Sequence, residues 1–310
     1  MYEMKEFDKA TADYQIGLKI RTFDYEIDDN KYDMVIDYYS RVLKNEPNDY
    51  KALFYRGLAY QHKEEKEMAI ADFTAAIEIR PNLYEALFYR GYAHETADQT
   101  IADYSAALKI KPDYYDALLH RGFVYQARAE DRQFDAIANT IPKTTHKEFK
   151  KKINEELEKN KNSIQNMDAI EDFSAAITIK PDWFAAFQNR ARAYASRGDY
   201  NQAIEDYTVA LELAPETENY LILRHRSKIY TNNENYDMAI DDLNAAFRIN
   251  PRLYDVIFER GVNYYKKGDY NQAIEDWEAY LQYFPNEPPV MENLEIVRNS
   301  PGEEINVSLF

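Results

Sequence analysis

The sequence predicts an all-α fold in which helix–turn–helix hairpins stack into an α-solenoid. Seven prolines recur along the chain, and three of the six gaps between them are 34 residues. Each proline closes a segment with small and aromatic residues at helical spacing, such as ADFTAAIEIRP. The chain has only eight glycines and eleven prolines, which argues against a turn-rich all-β fold. Because one hairpin cannot bury its apolar face alone, the hairpins must pack on one another.

Turn residues mark the ends of the repeated segments. GDYNQAIEDY at 198–207 and GDYNQAIEDW at 268–277 are near copies, and each glycine is expected to end one helix in a left-handed turn. An Asn or Asp follows most of the repeated prolines, and we expect it to cap the next helix at its N-terminus. These residues are Asn48, Asn82, Asp113 and Asp182, after Pro47, Pro81, Pro112 and Pro181; the series continues at Pro215, Pro251 and Pro285.

Each repeated segment contains two amphipathic helices. In one repeat, Gly57 and Tyr60 share a face of the first helix, while Ala69, Phe73 and Ala76 share a face of the second. The small residues allow the two helices to approach closely, and the aromatic ring fills the space beside them. The second-helix pattern recurs at Ala169, Phe173 and Ala176; at Ala203, Tyr207 and Ala210; and at Ala239, Leu243 and Ala246.

This combination of features resembles the tetratricopeptide repeat. The resemblance rests on the 34-residue period, the Gly-x-x-Tyr of the first helix, the Ala-x-x-x-aromatic-x-x-Ala of the second and the closing proline; it covers roughly residues 16–285. It implies a right-handed superhelix of stacked hairpins whose first helices line a concave groove. We expect a degenerate N-terminal repeat or cap at residues 1–47, six repeats at 48–285, and a capping helix with a tail at 286–310.

Six repeats carry an arginine before the glycine position of the first helix and an aspartate before the aromatic or Leu of the second. The first repeat lacks both and has Thr22 and Tyr38 instead. Charges that occur together and are missing together are expected to be partners, so we predict an Arg–Asp ion pair between the two helices of each repeat. The predicted pairs are Arg56–Asp72, Arg90–Asp103, Arg121–Asp172, Arg190–Asp206, Arg226–Asp242 and Arg260–Asp276.

Two repeats depart from the regular length. The third repeat has lost three residues near 94–99, which tightens the turn between its helices. The fourth repeat has gained 35 residues at about 128–165. There Phe149, Ile153 and Leu157 form one apolar stripe, so we interpret the extra residues as an inserted helical hairpin. A degenerate eighth repeat is the alternative, although it would separate Arg121 from Asp172.

Several classes of function are disfavoured by composition and motifs. The net charge of −17 argues against nucleic acid or an anionic membrane as the main partner. The absence of cysteine excludes disulfides and thiolate metal sites, and the five histidines show no ligand spacing. No phosphate-binding glycine loop or nucleophile elbow occurs. We therefore expect no enzyme, no cofactor and no metal, and a cytoplasmic location unless a signal or anchor was removed.

The main functional hypothesis is a scaffold that binds a peptide or helix of another protein in its concave groove. The first helices of the second to fourth repeats present mostly aromatic side chains to this groove, and those of the fifth and sixth repeats present a basic group that would orient an acidic or C-terminal group. The predicted partner-binding residues are Lys51, Phe54, Tyr55, Leu58, Phe88, Tyr89, Tyr92, His120 and Phe123, followed by Gln188, Asn189, Arg192, Arg224, His225 and Lys228.

Three alternatives remain open at this point. The groove aromatics could simply pack between adjacent first helices. Chaperone-binding relatives grip a terminal carboxylate with Lys, Asn and Arg on three successive repeats, and this chain lacks that arrangement, so a chaperone tail is not the expected partner. In a different class of function, the chain could be a self-assembling structural element that uses the inserted hairpin or the tail PGEEINVSLF.

Overall fold

The described part of the chain is helical, and no β-strand occurs in it. The structure is a computed structural model that describes residues 29–138 and 164–299, with side chains described at 32–129 and 167–299. It divides into two compact units, unit 1 from Met1 to Arg128 and unit 2 from Ala129 to Phe310. Within each unit, helices that follow one another in sequence pack together, which confirms the all-α class and the hairpin arrangement.

Unit 1 contains two complete helix pairs with a further helix before them. Helix α1 packs against α2, α2 against α3, α3 against α4, and α4 against α5. The helices are α1 (Asp29–Asn45), α2 (Tyr50–His62), α3 (Lys66–Ile79), α4 (Tyr84–Ala93), α5 (Ala97–Ile110) and the start of α6 (Tyr115–Ala138).

Unit 2 contains three complete pairs between a leading and a closing helix. The closing helix α14 packs on α13 and buries Val290, Leu294 and Val297. The helices are α7 (Ile164–Ile179), α8 (Phe184–Arg197), α9 (Tyr200–Leu213), α10 (Asn219–Asn232), α11 (Tyr236–Ile249), α12 (Asp255–Lys267), α13 (Tyr270–Tyr283) and α14 (Pro288–Asn299), with a 3₁₀ turn at Glu216–Glu218.

Three repeats have a first-helix glycine against which the aromatic of the second helix packs directly, whereas the fifth repeat carries Ala191 at this position and Tyr207 in the same core cluster. A Cβ atom added to Gly57 would lie 2.8 Å from the Phe73 ring, and one added to Gly261 would lie 2.5 Å from Trp277 Nε1. Real Cβ atoms do not approach other atoms so closely. In the sixth repeat the smaller Leu243 occupies the aromatic position, and the first helix there carries a buried serine, Ser227.

The left-handed turns that close the first helices are confirmed. Gly198 and Gly268 have φ values of 88° and 91°. Two other repeats place glutamates at the same position, Glu64 and Glu234, with φ values of 60° and 59°. A non-glycine residue is strained in this conformation, so these two repeats keep the turn at an energetic cost.

The predicted N-caps are wrong by one residue. Asp49, not Asn48, caps α2 and accepts hydrogen bonds from the backbone of Lys51 and Ala52 at 3.0 and 3.2 Å. Leu83 occupies the cap position of α4, and Trp183 that of α8. The tight turn after each proline uses one residue more than the sequence pattern suggested, which leaves Asn or Asp inside the turn.

The length changes are partly described. The predicted shortening of the turn in the third repeat is wrong. Helix α4 has 10 residues where α2 has 13, and three residues follow each of them before the second helix begins, so the lost residues shorten the first helix instead. Helix α6 continues without a break to Ala138, so the first residues of the predicted insertion extend the first helix of the fourth repeat. The remainder of the insertion, the N-terminal residues 1–28 and the tail from 300 onward lie outside the described residues, and the choice between an inserted hairpin and an extra repeat stays a prediction.

Five of the six predicted Arg–Asp pairs are confirmed, and each is bidentate. In the fifth repeat Arg190 Nε donates to Asp206 Oδ2 at 2.7 Å, and Nη2 donates to Oδ1 at 2.8 Å. These hydrogen bonds raise the pKa of Arg190 above its ordinary value, against the opposing effect of burial. The sixth predicted pair would join Arg121 in unit 1 to Asp172 in unit 2, and it stays a prediction. The other confirmed pairs are Arg56–Asp72, Arg90–Asp103, Arg226–Asp242 and Arg260–Asp276.

The third nitrogen of each guanidinium reaches the preceding repeat, which the sequence analysis missed. Arg190 Nη1 donates to Ser174 Oγ at 3.1 Å, one residue after the aromatic of the previous second helix. Each arginine of the five confirmed pairs therefore joins its own two helices and the second helix before them. The equivalent acceptors are Ser40 for Arg56, Thr74 for Arg90, Ser105 for Arg121, Thr208 for Arg226 and Asn244 for Arg260.

The tyrosine one turn after the arginine completes this arrangement. The guanidinium of Arg190 lies 5.9 Å from the ring centre of Tyr194, close enough for a cation–π contact. The third repeat carries His94 in place of this tyrosine, and His94 Nε2 lies 3.2 Å from Asp103. Tyrosines also lie beside Arg56, Arg121 and Arg226, at Tyr60, Tyr125 and Tyr230.

Breaking one Arg–Asp pair should destabilise the fold more than breaking an exposed ion pair. Arg190 and Asp206 have side chains only 20% and 9% exposed. We expect Asp206→Ala and Arg190→Met each to lower the free energy of unfolding by about 2–4 kcal/mol, because each leaves the other charge without its partner. The double variant should lose less than the sum of the two. Denaturant unfolding of unmodified protein and all three variants measures this.

The control is Glu278→Ala, which removes the partner of Arg298 from an ion pair whose two side chains are about half exposed. It should cost less than about 1 kcal/mol. Equal losses for Glu278→Ala and Asp206→Ala, or strict additivity of the Arg190 and Asp206 changes, would contradict the paired role.

The cost of replacing the first-helix glycine should depend on the size of the residue opposite. Gly261→Ser should lower the free energy of unfolding by about 1–3 kcal/mol in the unmodified chain, because its Cβ would overlap Trp277. In a Trp277→Leu background the same change should cost little further, because Ser227 and Leu243 already form such a pair. Thermal unfolding of the four proteins tests this, and an equal cost of Gly261→Ser in both backgrounds would exclude the steric explanation.

Candidate functional site

The described residues show no group of acidic or histidine side chains that could hold a metal ion. Within the same ranges, 29–138 and 164–299, no helix is both long and apolar enough to cross a membrane. The candidate binding surface is instead the face of the first helices that lies beside the buried, apolar face of those helices. The two units present different chemistry on that face, and each is described by itself.

In unit 1, three of the predicted partner-binding residues lie in the core. Phe54 and Leu58 on α2 and Phe88 on α4 are nearly inaccessible to solvent. The Phe54 ring lies 5.9 Å from those of Phe73 and Tyr89. Phe54 and Phe88 contact both the second helix of their own repeat and the first helix of the next, as expected if they pack between helices. The role of all three residues toward a partner stays a prediction.

Other predicted residues of unit 1 reach the surface. Lys51 at the start of α2 is exposed, and Tyr55 and Tyr89 are half-buried. The Tyr55 ring stacks on buried Tyr39 at 5.7 Å, so one face of it is already covered. Tyr92 on α4 is 54% exposed, which is unusual for so large a side chain in this chain.

Tyr92, His120 and Phe123 form a continuous group that we call the aromatic surface. The His120 ring lies edge-on to Tyr92 at 5.7 Å and edge-on to Phe123 at 6.0 Å. Below it, His120 also contacts buried Phe88 at 5.4 Å. Burial lowers the pKa of His120 below its ordinary value, so the imidazole is neutral at pH 7. The aromatic surface is therefore apolar in its centre.

In unit 2, the predicted basic residues form a group on α8 and α10, which we call the basic cluster: Arg192, Arg224, His225 and Lys228. Burial lowers the pKa of His225 to about 4, and the positive charges of Arg192, Lys228 and Arg224 add to the effect. His225 is thus a neutral imidazole within the field of three cations. Its Nδ1 atom is buried and forms no hydrogen bond with a described residue.

Part of the basic cluster is held by a glutamate of the next repeat, a contact that the sequence analysis did not predict. Arg224 Nη2 and Nε donate to Glu259 Oε1 at 2.7 and 2.9 Å, and Lys228 Nζ lies 3.8 Å from the same oxygen. Glu259 is completely inaccessible to solvent. The sequence does contain a signal for this contact. Arg224 and Glu259 carry opposite charges at nearly equivalent positions of adjacent first helices.

The two predicted amide residues differ in how much of their polar group is used internally. Asn189 Nδ2 donates to the Ala185 carbonyl at 2.6 Å, so one donor is used within α8. Gln188 is half-buried one residue earlier. Both lie on α8, the helix that carries Arg192, and they extend the polar character of the face around the basic cluster.

A buried polar contact between α10 and α12 was also missed from the sequence. The Thr231 hydroxyl lies 2.7 Å from Asn263 Oδ1, and Asn263 Nδ2 donates to the Glu259 carbonyl at 2.8 Å. Buried polar groups must find such partners. This contact fixes the register of α12 against α10 and so helps to place Glu259 against Arg224.

Family models of the tetratricopeptide repeat match four segments of the chain, at residues 50–83, 184–217, 225–253 and 254–287. No curated protein matches the chain. The matched segments each cover one predicted repeat, and they begin within a few residues of the first helices α2, α8, α10 and α12.

Solved structures of repeat proteins share the fold. The C-terminal part of a TPR repeat-containing protein from Cytophaga hutchinsonii matches with a TM-score of 0.63 and 15% identity, over 88% of this chain and 98% of that one. YrrB, described as a TPR protein with an unusual peptide-binding site, matches with a TM-score of 0.53 and 15% identity, over 69% of this chain and 93% of that one. A tetratricopeptide repeat protein from Parabacteroides merdae matches with a TM-score of 0.51 and 16% identity, over 93% of this chain and all of that one.

At these identities the structural likeness concerns the fold alone, and it confirms the α-solenoid class. The family matches add the repeat identity, and the glycine–aromatic contacts of Gly57 and Gly261 agree with it. Four segments of the chain are therefore tetratricopeptide repeats.

Proposed function

We propose that the chain is a non-enzymatic scaffold that binds a peptide or a helix of another protein along the first helices of its repeats. The observation that carries this proposal is the basic cluster of unit 2. Three cations surround His225 in a chain whose net charge is −17. A positive group on so acidic a chain favours an acidic side chain or a terminal carboxylate of the partner.

The geometry of the basic cluster supports such a contact. Glu259 fixes Arg224 and draws Lys228 toward it, so these long side chains lose less conformational freedom when a partner binds. Arg192 lies on α8, the first helix of the preceding repeat, within electrostatic range of His225.

The aromatic residues of unit 1 would supply apolar contact area. Tyr55 and Tyr89 are half-buried, with one part of each ring packed on the repeat and another part accessible. Tyrosine and arginine are the side chains that most often dominate binding energy at protein interfaces. YrrB, which shares the fold, is itself described as having a peptide-binding site, and this agrees with the proposal without identifying a partner.

Removing two cations of the basic cluster should weaken partner binding. We expect the double variant Arg192→Gln, Lys228→Gln to lower affinity for the partner by about tenfold or more. Binding by unmodified protein should also weaken as salt is raised, because exposed charges are screened. The partner is obtained by affinity capture from native lysate and identified by mass spectrometry, and its affinity is then measured by titration.

The matched control is Lys109→Gln with Arg248→Gln, which removes two exposed cations from second helices. This control should capture the partner as well as unmodified protein does. Circular dichroism verifies that both double variants are folded. Capture that is unaffected by the loss of Arg192 and Lys228, or equally affected in the control, would exclude the proposed site.

A further inference from the structure

The aromatic surface of unit 1 has acidic residues at its edge. Asp116 lies one turn before His120 on α6 and is exposed. Glu85 lies one turn before Tyr89 on α4 and is half-buried. The two carboxylates come from neighbouring repeats, in the same position relative to the recurring arginine of each first helix.

Both carboxylates act on one region of the surface. Burial raises the pKa of Tyr114, and the negative charges of Asp116 and Glu85 add to the effect, as does Tyr89. Both are therefore within electrostatic range of the Tyr114 hydroxyl. Asp116 also acts on His120 and partly opposes the effect of burial there. The acidic edge thus adjoins the aromatic surface.

The same repeats already hold a cation on aromatic rings. Lys111 Nζ lies 5.0 Å from the centre of the Tyr84 ring and 5.6 Å from that of the Tyr114 ring. The two rings meet edge-on at 5.0 Å. Aromatic faces close to carboxylates thus stabilise a positive charge in this part of unit 1, by the cation–π effect and by charge attraction.

We propose that the aromatic surface with its acidic edge, Asp116 and Glu85, binds a partner segment in which an arginine stands beside an aromatic or proline residue. The guanidinium would lie against Tyr92 and form a hydrogen-bonded ion pair with Asp116, while the apolar neighbour would contact Phe123 and the His120 ring. This inference rests on the proposed binding role of the first helices. It specifies the chemistry of the partner segment that unit 1 would bind.

Arginine fits this surface better than the alternatives. An acidic segment would be repelled by Asp116 and Glu85, and a wholly apolar segment would remove water from these carboxylates without bringing a positive charge. Lysine would pair with a carboxylate but would not stack its planar group on Tyr92. The overall charge of −17 also attracts a basic segment during association.

The test uses the full-length chain and a fluorescein-labelled synthetic peptide of repeated Phe-Pro-Arg units, with binding followed by fluorescence anisotropy. Peptides with Glu or Lys in place of Arg, and with Ala in place of Phe, are compared. The Phe-Pro-Arg peptide should bind about tenfold or more tightly than the Glu peptide. Tyr92→Ala should weaken its binding about tenfold, and Asp116→Asn with Glu85→Gln about fivefold.

Matched control variants are Tyr283→Ala and Asp113→Asn. Tyr283 is 52% exposed, close to the 54% of Tyr92, but belongs to the last repeat of unit 2. Asp113 is an exposed carboxylate in the turn before α6. Neither change should alter peptide affinity. No detectable binding, equal binding of the Arg and Glu peptides, or equal effects of Tyr92→Ala and Tyr283→Ala would overturn the inference.

The outcome is separable from that of the proposed function. Arg192→Gln with Lys228→Gln should leave binding of the Phe-Pro-Arg peptide unchanged, because that variant alters unit 2. If this variant loses the lysate partner while the peptide fails to bind unmodified protein, the basic cluster stands and the arginine preference of unit 1 is wrong. If the peptide binds as expected and lysate capture is unaffected by the unit 2 variant, the arginine preference of unit 1 stands and the basic cluster is not the site of the lysate partner.

Discussion

The recurring arginine of the first helix makes the interaction on which the repeat structure depends. In the five confirmed pairs, two of its nitrogens bind the aspartate of the same repeat and the third binds a hydroxyl or amide oxygen of the repeat before, as Arg190 does with Asp206 and Ser174. A tandem array is stable only if neighbouring repeats favour one another. One side chain here contributes both to the intrinsic stability of a repeat and to the contact with its neighbour.

These internal contacts determine which side chains stay accessible at the surface. The aspartates of the arginine–aspartate pairs are buried in the array, as are Phe54, Leu58 and Phe88. The side chains that differ most between repeats lie on the first helices, beside their buried face, such as Tyr92 in unit 1 and Arg192 in unit 2. Surface chemistry therefore varies along the chain while the framework does not, which is how one repeated fold can present an aromatic surface with an acidic edge and a basic cluster.

The fold was predictable because its constraints repeat. The glycine opposite Phe73 and the pairing of Arg190 with Asp206 could be read from recurrence alone, since a contact made in every repeat leaves a period in the sequence. Contacts made once leave none: Arg224 with Glu259, and Thr231 with Asn263, depend on how particular adjacent helices meet. The burial of Phe54 and Phe88 could not be predicted from the sequence either. A residue at the edge of a helix's apolar face is buried or exposed according to the side chains of the adjacent helix.

The most direct test of the coupling role is native-state hydrogen exchange of unmodified protein and Arg190→Met, read separately for α7, α8 and α9. If the arginine joins adjacent repeats, its loss should reduce amide protection in α7, where Ser174 lies, as well as in α9, where Asp206 lies. Ser174→Ala should reproduce part of the change in α7 without that in α9. Protection lost only in α8 and α9, with α7 unchanged, would contradict the account.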